Sequence, residues 1–168
     1  MQINITTDYA LRCVLVLAQT EGLMTSKEMG ETMKVSRDFV QRIMQKLRMS
    51  GIVEYEMGAK GGYRLAKPAT EIFLTDIFDT MEDTMRINRC VEDDEYCNMN
   101  ATKSCHMHKF YLEMQYWLSY CFDNTSIQDI VNGDMSIFTG MTPGNGVPLK
   151  SLEGMPPLKS LQNMGSAQ

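Results

Sequence analysis

The chain has no long apolar run. The longest, Val14 to Ala18, extends back to Ala10 only by admitting Arg12 and Cys13. A membrane-spanning helix needs about 20 apolar residues, so none is expected. The opening Met1-Gln2-Ile3-Asn4 lacks the basic start and apolar core of a secretory signal, which predicts a cytoplasmic protein. Glycines are not arranged as a phosphate loop: no Gly-Lys-Ser/Thr ending is present, and no cofactor motif appears elsewhere. No catalysis is therefore expected. Proline is nearly absent before residue 139, with Pro68 alone, so helices can run uninterrupted there. Histidine is limited to His106 and His108, and both stand beside cysteine in the chain.

What is present begins with an uneven charge. The net charge of −5 conceals a segment, Thr25 to Lys67, with nine Lys or Arg against five Asp or Glu. A basic segment in an acidic protein is an electrostatic footprint for nucleic acid. At 168 residues and 43% hydrophobic content, one core-forming domain is the default. The sixteen methionines suit a core filled by flexible side chains in a reducing interior.

The basic segment has internal order. Thr6-Thr7-Asp8 offers N-cap residues before an apolar helix from Tyr9 to Ala18, with Gly22 beyond its end and Cys13 inside its apolar run. Thr25-Ser26-Lys27-Glu28 is a capping box opening a second helix to about Lys34. Ser36 can cap a third helix, Arg37 to Met49, closed by Gly51. Two short helices joined by a tight turn spell helix-turn-helix. The third helix has an apolar stripe of Phe39, Val40, Ile43, Met44 and Leu47. Arg37, Gln41 and Gln45 stand at four-residue spacing on another face, with Arg42 beside them. Arg and Gln pair bidentately with base edges, while Lys and Arg hold phosphates. Alternation over Ile52–Glu56, the glycine-rich turn from Met57 to Gly62, and Tyr63-Arg64-Leu65-Ala66 predict a hairpin, so the unit reads as a winged helix. Lys60 and Arg64 are placed to hold the wing to the DNA backbone.

The second half is organised by cysteine. Cys90, Cys97 and Cys105 are separated by six and seven residues, and His108 follows after two more. Thiolates and imidazoles from one segment are soft ligands, suited to zinc, copper(I) or an iron–sulfur cluster. The gaps are too wide for the paired spacing of a structural zinc site. The acidic run Glu92 to Glu95 and the asparagines around Cys97 predict an exposed, irregular loop. Before it, Thr75 can cap a short helix to Glu82. After it, a long helix from about Met107 to Phe122 carries Phe110, Met114, Trp117 and Cys121 as a coiled-coil-like seam, which predicts a homodimer and a palindromic operator. Thr125 begins a last short helix. Beyond Thr139, four of the five prolines and five of the twelve glycines predict a disordered tail, with a near-repeat at Pro148–Leu152 and Pro157–Leu161.

The expected fold is mainly α with a small β-wing. The expected units are a winged helix-turn-helix over residues 1–84, a cysteine loop and dimerisation helix over 85–138, and a tail over 139–168. Winged helix, cysteine loop and long helix, in that order, resemble the iron–sulfur-dependent bacterial transcription regulators of the IscR, NsrR and RirA type. The resemblance covers residues 1 to about 138. It rests on Thr7-Asp8-Tyr9-Ala10-Leu11-Arg12, the stretch Val35-Ser36 to Leu47-Arg48, the wing Gly58 to Leu65, and the three cysteines. It implies a [2Fe–2S] or [4Fe–4S] cluster on Cys90, Cys97 and Cys105. The fourth ligand would be His108, as in the IscR-like case, or Asp8 of the other subunit, as in the NsrR-like case. It also implies DNA contacts from Ser36, Arg37, Gln41, Arg42, Gln45, Lys60 and Arg64. Two departures stand out: the cysteine gaps exceed the five residues common in the family, and Met57 replaces a frequent arginine before the wing glycine. The rival readings are a zinc or iron(II) sensor on the same fold, a metal-free thiol switch, and an electron-transfer subunit.

Overall fold

The computed structural model describes residues 3–58, 60–92 and 94–138; the expected tail and its near-repeat lie outside the described residues. Six helices and one hairpin follow in order among them: α1 (Ile5–Ala18), α2 (Ser26–Met33), α3 (Arg37–Met49), β1 (Val53–Glu56), β2 (Gly62–Leu65), α4 (Leu74–Met81), α5 (His106–Asp123) and α6 (Ile127–Asn132). The mainly helical fold with a small antiparallel wing agrees with the expectation from sequence.

The core is one apolar cluster from α1, α2, α3 and α4. Ala10, Cys13, Val14 and Leu17 of α1 meet Val40, Ile43, Met44 and Leu47 of α3, and Met29, Ile52, Ile72, Ile77 and Ile127 close the sides. These positions recur at three- and four-residue intervals in α1 and α3, so one face of each helix is dry. Burial raises the Cys13 thiol to about 12, which makes it an inert apolar side chain, as expected.

The helix starts are set by local hydrogen bonds, and three differ from expectation. α1 is capped by Asn4, whose side chain accepts from the Thr6 N–H at 2.9 Å, and not by Thr6 to Asp8. Thr7 is instead buried against Glu82, to which its hydroxyl donates. α4 starts two residues earlier than expected: the Asp76 carboxylate accepts from the Phe73 N–H, and Thr75 lies inside the helix, buried. α6 is capped by Ser126 in a reciprocal box with Asp129, and not by Thr125. α2 and α3 begin where the sequence placed them, on Thr25 with Glu28 and on Ser36.

β1 and β2 pair antiparallel with Val53 opposite Leu65 and Glu56 opposite Gly62. A third short bridge joins Met24 to Tyr63 through two backbone hydrogen bonds of 3.0 and 2.8 Å. It pins the wing to the start of α2. A Cβ on Gly62 would fall 2.9 Å from the Met24 backbone, so only glycine permits this approach. α5 reaches the rest of the molecule mainly through α4 and the 3-10 turn at Arg89–Val91. Phe78 of α4 and Phe122 of α5 stack at 4.3 Å.

Candidate DNA interface and cysteine segment

The helix-turn-helix is tight. Lys34 ends α2 with φ of 57°, and a Cβ on Gly30 would meet the Val35 carbonyl at 2.8 Å. Ser36 then caps α3 by accepting from the Phe39 N–H at 3.2 Å. This geometry leaves Arg37, Arg42, Gln45, Lys46 and Arg48 exposed on α3, with Gln41 half-buried. The Arg42 guanidinium lies 6.0 Å over the Phe39 ring, which orients it along the helix surface.

Between α3, the start of α2 and the wing lies a recess of about 460 Å³. Lys27, Arg37, Gln41 and Arg48 line it together with Tyr55 and Tyr63 of the hairpin, and among the described residues no carboxylate does. The two tyrosine rings sit 4.9 Å apart. Burial, then Tyr55, pushes the Tyr63 phenol up, so it stays a neutral hydrogen-bonding group. Cations, hydroxyls and the free N–H groups at the α2 N-terminus thus surround one concave surface, the chemistry a phosphate requires. Lys27, Tyr55 and Tyr63 were not singled out from sequence. Lys27 showed only as part of the local positive charge, and no local signal marked the tyrosines; the bridge from Met24 to Tyr63 brings them together.

The wing is less basic than expected. Lys60 is exposed at the tip. Arg64 is engaged across the hairpin, its Nε 2.5 Å from Glu54 and its Nη1 3.7 Å from Glu56. Glu54, first among causes, holds that guanidinium above its ordinary range. Met57, where the resemblance leads one to look for arginine, is 88% exposed.

The segment between α4 and α5 is irregular, as expected, apart from the 3-10 turn at Arg89–Val91. Arg89 clamps Asp94 through both nitrogens, at 2.6 and 2.5 Å, and its guanidinium lies over the Tyr96 ring. Cys90, Cys97 and Cys105 are free thiols of intermediate burial. Backbone N–H groups of Ala101, Met99 and Asn100 favour the Cys97 thiolate and pull its pKa below the ordinary range. Cys105 is the N-cap residue of α5. His108 is buried, and its Nδ1 has no hydrogen-bond partner. Asp8 is paired with Arg12 at 2.9 Å beside a groove lined by Ile3, Asn4 and Ile5. Among the described residues, no three His, Cys, Asp or Glu side chains are grouped as an ion's ligands. Each cysteine sits in its own local turn.

α5 inverts the usual pattern. Its buried residues are polar: His108, Gln115, Ser119 and Asp123. Gln115 donates to the Met85 carbonyl and accepts from the Ile87 N–H, so it fastens the segment to the helix. The expected seam faces away from the body, with Phe110 53% and Met114 43% exposed. Cys121, the last residue of that seam, is half-buried in the single chain.

Comparison with known proteins follows this geometry. Residues 3–133 match the Rrf2 model, described as an iron-dependent transcriptional regulator. The chain belongs to the Rrf2 family. That makes it a DNA-binding winged-helix transcriptional regulator and not an enzyme, and it agrees with the resemblance drawn from the motifs. The Rrf2 chain is 32% identical over 123 residues to protein aau3 of Rhizobium meliloti (strain 1021), covering 68% of this chain and 80% of the relative. Its fold superposes on CymR (YrzC), the global cysteine regulator of B. subtilis, with TM-score 0.67 and 23% identity, covering 79% and 98% of the two chains. It also superposes on T. potens IscR with TM-score 0.62 and 20% identity, covering 81% and 90%. No helix among the described residues is long and apolar enough to cross a membrane.

Proposed function

We propose that this Rrf2 chain is a homodimeric regulator whose operator affinity is set by an iron–sulfur cluster responding to redox state, nitric oxide or iron supply. The observation that carries the reading is the segment between α4 and α5: three free, half-buried thiols and an unpartnered buried imidazole nitrogen on one stretch of chain. That donor set fits a soft cluster. Cys90, Cys97 and Cys105 would hold it, with His108 or the partner subunit's Asp8 as fourth ligand. When bound, the cluster would supply an oxidant-sensitive centre that fixes the conformation of this segment. Because the ligands are not grouped in advance, the segment must rearrange to bring them together.

The chain's own residues link such a rearrangement to the DNA-reading body. Glu82, at the start of the segment, accepts from the hydroxyl of Thr7 in the first turn of α1 and from the N–H of its cap residue Asn4 at 3.3 Å. α1 packs in turn on α3, the recognition helix. Arg37, Gln41, Arg42 and Gln45 would read base edges while Ser36, Lys27, Arg48 and Lys60 position the phosphates. Arg64 would contribute only by exchanging Glu54 for a phosphate. The exposed seam of α5 is the dimer surface, and two recognition helices would address a palindromic operator.

The test is iron and acid-labile sulfide per chain on protein purified without oxygen, followed by operator affinity with and without the cluster. Equal iron and sulfide, with affinity that changes on cluster loss, is the expected result. A His108→Ala and Asp8→Ala pair then assigns the fourth ligand by which one loses iron. Zinc alone, or equal affinity in both forms, overturns the reading. The lowered Cys97 pKa favours a second reading, a metal-free thiol switch. It predicts a loop disulfide by mass spectrometry after mild oxidant.

A further inference from the structure

We propose that the cavity enclosed by α4, the segment over residues 82–92 and α5 binds a small organic cation the size of an aliphatic diamine. The cavity holds about 360 Å³, at the lower end of the volumes that bind small molecules. Asp79, Glu82, Asp83 and Glu92 line it against a single cationic side chain, Arg86. Glu82 is already bonded to Thr7 and Asn4, and Glu92 accepts from the Thr84 hydroxyl at 3.1 Å. Asp79 and Asp83 make no hydrogen bond or ion pair among the described residues, so two carboxylates remain to receive a ligand.

A second, independent feature points to a ligand. Thr75 lines the same cavity, is 7% exposed, and has a buried hydroxyl with no hydrogen-bond partner. A buried hydroxyl left unbonded costs free energy that a ligand donor would recover. Burial, then Asp123 and Asp76, pushes the Asp79 carboxyl up, and a cation beside it relieves that repulsion. Phe122 and Met85 give apolar walls for methylene groups. A metal ion suits the site less well, because no three carboxylates are grouped around one point among the described residues. An anion would be repelled by the lining. The cavity touches the segment that leads to Cys90 and the helix that packs on α1, so an occupant bridges them. This inference is independent of the cluster reading.

The test is calorimetric titration of the full reduced, metal-free chain with 1,4-diaminobutane, against 1-butanol, succinate and calcium chloride at matched ionic strength. Saturable one-to-one binding of the diamine, with none of the three comparators binding, is expected. Asp79→Asn and Asp83→Asn together should weaken it at least about tenfold. Circular dichroism verifies that the double variant folds. Thr75→Val should weaken it less. Heats indistinguishable from sodium chloride, binding unchanged in the double variant, or binding of calcium alone would each overturn the proposal.

Discussion

α3 and α5 are built on opposite plans. α3 buries Val40, Ile43, Met44 and Leu47 and shows polar side chains to solvent. α5 buries His108, Gln115, Ser119 and Asp123 and shows Phe110, Met114 and Met107 to solvent. The first is held by apolar burial, worth roughly 1.5–3 kcal/mol per large side chain. The second is held by the Phe78–Phe122 stack and by the Gln115 hydrogen bonds to Met85 and Ile87, each such bond worth about 0.5–1.5 kcal/mol net. The difference separates a rigid reading head from a segment that can change at modest cost. It also leaves on α5 an apolar face that, in water, calls for a partner.

Four experiments can break or sharpen this contrast. The largest effect is chemical. At pH 7 iodoacetamide should modify Cys97 in the native metal-free chain, and its rate should level off at a lower pH than for an ordinary thiol. Cys13, with its thiol at about 12, should resist until the chain unfolds. Each unit of pKa above ambient pH removes about tenfold of thiolate, so the two rates should differ by orders of magnitude. Equal rates by mass spectrometry would place both thiols in similar surroundings. Next, Leu47→Ala should cost about 2–5 kcal/mol in urea unfolding, whereas Tyr96→Ala on the cysteine segment should change stability by less than about 0.5 kcal/mol. Comparable losses would make the segment part of the core.

Smaller effects test the local devices. Gly62→Ala should cost about 1–3 kcal/mol by driving a methyl group into the Met24 backbone, and it should loosen the wing from α2. Thr25→Ala should cost about 1 kcal/mol through loss of the α2 cap. A null result at Gly62 would mean that the wing docks without the Met24 bridge.

The first half of the chain was legible because its signals are local. Thr25 with Glu28, Ser36 before Arg37, and the glycine-rich turn before Tyr63 each act within a few residues. Their bonds form wherever the rest of the chain goes. The errors at α1 and α4 share one cause: Thr7 and Thr75 look like caps in sequence, but tertiary packing buries both. The cysteine set was legible as residue types and spacing, while its grouping was not, because no periodic pattern fixes an irregular segment.

By itself, then, the sequence determined the helix-turn-helix, the hairpin, the basic reading face and the cysteine segment, since short-range bonding and hydrophobic period suffice for those. Only the tertiary structure decided which face of α5 is buried. It alone brought Lys27, Arg48, Tyr55 and Tyr63 to one recess and tied Glu82 to α1. These are contacts between residues far apart in the chain, and they arise from how packed surfaces meet, which no local pattern encodes.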